Sequence, residues 1–164
     1  MTVSAYNRDA AVAHAHEWAF KRDPSYLAFD GFGGDCTSFV SQSLFASGAP
    51  MNYTYDYGWY YISPENRAAA WAGVSYLHTF LTTNEGIGPF GAELPLMYAQ
   101  PGDIIQFNLE GEKFQHSTLI VSTGANPDVN NILLTAHSAD SDNRPMNDYK
   151  YYEYRLIHIL GIRS

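Results

Sequence analysis

A chain of 164 residues, 46% of them apolar, can bury one sizeable core, and its single cysteine rules out a disulfide within the chain. A formal net charge of -8 with no basic run excludes the clustered Lys and Arg that a nucleic-acid surface needs. No apolar stretch approaches the roughly 20 residues of a membrane span, and "MTVSAYNRDAAVAHAHEWAF" lacks the basic-then-apolar layout of a signal peptide.

No repeat or long linker divides residues 1–164, so one domain is expected, with helices first and strands after, which is the order of an α+β fold. Asn7 can cap a first helix that runs to about Phe20, with Ala11, Ala15 and Trp18 on its inner stripe. In "DGFGGDCTSFVSQSLFASGAP" the pair Gly33 and Gly34 gives a tight approach and Asp35 stands as an N-cap. A second helix then buries Phe39, Val40 and Leu44 and stops at Gly48 and Pro50. Ser63 and Pro64 can open a further helical region, clearest at "WAGVSYLHTFL", where Val74, Leu77, His78 and Leu81 share a face. His78 is then a core or edge residue. Gly86 to Pro95 reads as a loop. After it, "DIIQFN", "HSTLIVSTG", "NILLTAHS" and "YYEYRLIHIL" read as strands separated by turn residues.

The lone cysteine, Cys36, falls on the first turn of the second helix, where free N–H groups and the positive end of the dipole stabilise a thiolate. A cysteine in a mostly apolar helix can equally be a small buried hydrophobe. A nucleophile needs a base, a group to orient that base, and donors for the oxyanion. If the strands carrying His116 and His137 form a hairpin centred between Asn126 and Pro127, the two histidines lie opposite each other, and His137 can orient His116. A one-residue slip would put them on opposite faces. The backbone N–H of Cys36 would serve the oxyanion, while the Asp35 carboxylate works against a thiolate.

Tyrosine and tryptophan are dense at "NYTYDYGWYY", and aromatic residues make up 15% of the chain, as suits either a groove or the core and rim of a small domain. "HSADSD" offers His137, Asp140 and Asp142 to a metal, but the spacing is neither a zinc nor a calcium signature; it reads as a polar strand-to-loop turn capping the histidine, and no metal or other cofactor is expected.

The blocks "GGDCTSFVSQSLFASGAPM", "QPGDIIQF", "HSTLIVS" and "LLTAHSADSDNRPM", together with "GWYY" and the opening helix, closely resemble the bacterial putative amidase domain family. That family is a branch of the papain-like cysteine hydrolases related to NlpC-type and CHAP-type cell-wall enzymes, and the likeness spans about residues 5 to 160. It implies a papain-like α+β fold, N-terminal helices on a C-terminal antiparallel sheet, with Cys36 as nucleophile, His116 as base and His137 as orienter. It also implies an amide substrate in cell-wall peptide and a secreted or wall-associated setting; a monomer is expected. Tyr26 matches a family tyrosine by order. With Asp35, Tyr57, Trp59 and Tyr60 it completes the candidate substrate-binding set. Ser38 stands where the family usually has asparagine, and papain's oxyanion glutamine has no counterpart, which leaves the second oxyanion donor unassigned. The alternative on the same fold is a module that binds wall peptide or glycan without turnover.

Overall fold

The computed structural model describes residues 1–164. Four α-helices stand beside a seven-stranded antiparallel sheet. Helix α1 (Arg8–Trp18) is capped as expected, Asn7 Oδ1 accepting from the Ala10 N–H at 3.1 Å, and its Ala11 and Ala15 are buried. Helix α2 (Cys36–Ala46) is buried at every position from Cys36 to Leu44, because α1 packs on one side of it and the sheet on the other. Helices α3 (Ala69–Ala72) and α4 (Val74–Thr83) divide at Gly73, where a Cβ would sit 2.9 Å from the Ala69 carbonyl oxygen.

The sheet comprises β1 (Val3–Ser4), β4 (Gly88–Leu94), β5 (Ile104–Asn108), β6 (His116–Ser122), β7 (Leu133–Ala136), β8 (Ser141–Pro145) and β9 (Glu153–Arg163). Strand β9 is central: β4 pairs along one edge, while β5 and then β1 pair along the other. From β5 the sheet continues through β6 and β7 to β8. A separate ribbon joins β2 (Tyr61–Ser63) to β3 (Asn66–Arg67).

Three expectations change here. Residues 86 to 95 are not a loop throughout, because the eleven-residue β9 takes β4 as a partner. The pairing is bulged between Phe90 and Gly91, where a Cβ on Gly91 would lie 2.4 Å from the His158 carbonyl oxygen, so glycine is what lets the strands meet. Ser63 and Pro64 open no helix; they turn the β2–β3 ribbon, Ser63 Oγ accepting from the Asn66 N–H. The polar run after His137 is an edge strand, β8, rather than a turn alone.

Alternation along the strands buries both sheet faces. Ile104, Leu119 and Ile157 pack with Phe39, Val40, Leu77 and Leu81 on the helical side. Their neighbours Ile105, Ile120 and Leu156 join Phe107, Leu134 and Met146 on the other. That double burial is why these strands read as continuous apolar runs. The register of β6 on β7 sets Leu119 against Thr135, whereas a loop centred between Asn126 and Pro127 would set it against Leu134. The slip is one residue, and it carries His137 to the opposite face from His116.

Candidate active site

Residues Gly33 and Gly34 lead into α2 with φ of 97° and 105°, a region closed to side chains, and a Cβ on Gly34 would meet Ser138 Oγ at 3.1 Å. Asp35 occupies the N-cap position without capping. Its Oδ1 accepts from the Phe29 N–H at 2.8 Å and its Oδ2 lies 2.6 Å from His137 Nδ1. The first N–H groups of α2 therefore have no side-chain partner and remain available at the cysteine.

Cys36 is 5% exposed. Burial pushes its thiol up from the ordinary value, while the N–H groups of Ser117 and Thr37 and the Thr37 hydroxyl pull it down and the Asp35 charge pushes it up. The thiol is thus more weakly acidic than the helix terminus by itself would predict. Behind these donors stands a chain of side chains whose direction is fixed from Arg155 to Ser117. Arg155 Nε donates to Gln106 Oε1 at 2.8 Å, so the amide must present its nitrogen onward. Gln106 Nε2 donates to Ser117 Oγ at 3.1 Å and to the Val74 carbonyl. Ser117 Oγ lies 2.9 Å from Thr37 Oγ1, which lies 3.8 Å from Cys36 Sγ. Either hydroxyl can donate in the Ser117–Thr37 contact; if Ser117 donates to Thr37, the Thr37 proton is free to point at the sulfur.

His116 opens β6 and follows the alternation of Thr118 and Ile120, away from the helices. Its ring stacks against Phe107 (centroids 6.4 Å apart) and Tyr149 (6.0 Å). Burial, assisted by the Arg144 charge, holds its imidazole down to about 4, so it is neutral at pH 7. Cys36 reaches the same strand end from the helical side, through the N–H of the adjacent Ser117. Tyr149 is near enough to feel a charge on Cys36, and burial raises its phenol. No hydrogen bond joins Cys36 to His116 directly.

His137 does not orient His116. Its Nδ1 faces Asp35 and its Nε2 donates to the Trp18 carbonyl at 2.7 Å, so both ring nitrogens are committed, and its ring packs on Phe39 at 4.1 Å. It ties the ends of α1, α2 and β7 together. Arg22 extends the tie to Asp30 and Asp140, with Asp35 at 3.6 Å. Asp142 turns instead to His16 and Thr135, so the three residues of "HSADSD" face different partners, and no group of His, Cys, Asp and Glu converges as a metal site would require.

A groove of about 690 Å³ has on its wall Gly34, two residues before Cys36, and Gln115, next to His116; Cys36 and His116 themselves are not on the wall. None of Tyr26, Asp35, Tyr57, Trp59 or Tyr60 is on that wall. Trp59 is fully buried, its Nε1 donating to Ser41 Oγ, because it packs between Trp71 and Phe80. Tyr60 is also buried, Tyr57 stands in solvent, and Tyr26 stacks on Trp71. Thr37 and Ser117, each beside a residue that the sequence singles out, and Tyr149, for which the sequence holds no signal, are the side chains that sequence reasoning missed.

The model of a family described as a putative amidase domain matches residues 5–160. The chain is 30% identical over 161 residues to the uncharacterized protein YhbB of Bacillus subtilis (strain 168), an alignment that covers 96% of this chain and 48% of that protein. The chain thus spans about half the length of the relative it matches. No solved structure matches it.

Proposed function

The chain belongs to the putative amidase domain family, and from that premise we propose that it hydrolyses an amide through Cys36, with His116 as general base and acid. The family's description points to amide hydrolysis in general terms. The thiol mechanism is supported above all by the convergence of Ser117 N–H, Thr37 N–H and the Thr37 hydroxyl on the one cysteine, at a helix terminus left without a side-chain cap. Such donors favour a developing thiolate.

Cys36 Sγ attacks the amide carbonyl carbon as His116 takes the thiol proton. The uncapped N–H of Cys36 stabilises the oxyanion. Collapse breaks the C–N bond, the proton passes from His116 to the leaving amine, and water, activated by His116, cleaves the thioester to a carboxylic acid. Both partners start neutral, so proton transfer accompanies attack rather than preceding it. An α+β order in which a cysteine at a helix start precedes an antiparallel sheet with a histidine at the start of one strand supports a papain-like reading of the chain. The likeness to NlpC-type and CHAP-type enzymes makes a cell-wall peptide the proposed substrate. The role of third residue, left open by His137, passes to packing: Phe107 and Tyr149 hold the His116 ring.

Soluble wall peptides incubated with the protein and followed by mass spectrometry test this reading. The parent should split an amide with addition of water, and Cys36→Ala and His116→Ala should each abolish the reaction. Turnover retained by Cys36→Ala sinks the mechanism, and equal binding by both proteins without cleavage indicates a binding module.

A further inference from the structure

Seven of the nine Lys and Arg side chains form no ion pair, and four of these seven lie on the groove wall or against aromatic rings of the groove and of the His116 pocket. Arg67 and Lys113 are on the groove wall. The Arg67 guanidinium lies 4.7 Å over the ring of Phe29 and that of Arg155 4.0 Å over the ring of Phe114, and both rings also line the groove. Arg144 stacks at 3.9 Å on Tyr149, on the His116 side. One Arg155 nitrogen, Nη2, is buried with no hydrogen-bond partner, whereas Arg8 and Arg22 elsewhere are matched to carboxylates. Asp56 is the one acidic residue on the groove wall. In a chain of formal net charge -8 this makes a cationic rim, with aromatic faces beneath it, around one groove.

We propose that the groove selects amides that carry a carboxylate, held by Lys113 and Arg67, with the stem between carboxylate and amide lying on Phe29 and Phe114. The proposal rests on the reading of Cys36 as the nucleophile. Walls of low dielectric focus the field of unpaired cations on the groove, so an anion is both concentrated and oriented there. The Arg67 guanidinium, stacked on Phe29, gives Nη1 to the Pro64 carbonyl and keeps its other N–H groups for carboxylate oxygens.

Two alkylating agents that differ in charge test it without knowledge of the natural substrate. Cys36 is the only cysteine, so intact mass reports its alkylation without ambiguity. Rates are measured at pH 8 with iodoacetate and iodoacetamide, and the ratio of the two is compared with that for glutathione. The ratio should exceed the glutathione value by about fivefold or more, as cations within about 8 Å of the reacting carbon would produce. It should fall toward the glutathione value in Arg67→Gln with Lys113→Gln, and in the parent at about 0.5 M NaCl, where surface charges are screened. The salt series keeps the test decisive if the double variant folds poorly. Alkylation by both reagents with a glutathione-like ratio overturns the carboxylate groove and leaves the thiol mechanism standing. Failure of both reagents to reach Cys36 in the native protein overturns both.

Discussion

Replacing His137 with alanine separates a structural histidine from a catalytic one. His137 and Asp35 each expose 1% of their side chains, and 2.6 Å separates Nδ1 from Oδ2. The substitution removes that hydrogen bond, the one to the Trp18 carbonyl, and the ring contact with Phe39. It leaves a buried carboxylate with only the Phe29 N–H, plus Arg22 Nε at 3.6 Å. Stranding one partner of a buried pair costs roughly 3–5 kcal/mol. Arg22 offsets part of that, which puts the expected loss near the lower end, about 3 kcal/mol. For a domain of this size each kcal/mol moves Tm by roughly 2–4 °C, so Tm should drop by about 6–12 °C. Urea unfolding at pH 7, followed by tryptophan fluorescence, measures the loss. Adding Asp35→Asn should recover a large part of it, since the two residues couple. Native alkylation of Cys36 by iodoacetamide should stay within a few fold of the parent. Stability within about 1 kcal/mol of the parent, together with loss of amide turnover, would refute this account and return His137 to the catalytic group.

The remaining predictions concern the thiol and its base. Because the His116 imidazole is held down to about 4, it remains a base well below neutrality, and kcat/KM for amide hydrolysis should keep its acid limb near pH 4 to 5. A limb at the roughly 6.5 of a free histidine would remove His116 from that role. The same shift affects folding: the unfolded chain takes up this proton near 6.5 and the folded chain only near 4, so stability should fall as pH drops through that window, read as a lower urea midpoint at pH 5 than at pH 7. Thr37→Val keeps the shape but deletes the hydroxyl between Ser117 and the sulfur. It should slow alkylation of Cys36 at pH 8 by about three- to tenfold and cost about 1–2 kcal/mol of stability, with Thr37→Ser restoring the rate. A rate unchanged in Thr37→Val would show that the hydrogen-bonded chain from Arg155 ends short of the thiol.

Cys36 at the start of a helix, the α+β order and the strand that His116 opens were all legible in the chain, since each follows from local signals: a glycine pair, apolar periodicity and β-rich runs between turn residues. The errors lie where pairing across space decides. Residues 88–94 look like a loop until β9 offers them an edge, and the Asp35 of an apparent N-cap is drawn off by a histidine 102 residues away. A single residue of register moved His137 from the side of His116 to the side of Phe39. Aromatic density at residues 52–61 was visible too, but its division into buried Trp59 and exposed Tyr57 was not. By itself, then, the sequence determined that Cys36 begins a helix and that His116 opens a strand, because periodicity and helix-end effects are short-range. Only the tertiary structure decided which donors reach the sulfur, which histidine is structural and where the cations gather, because those depend on contacts between segments that no local pattern encodes.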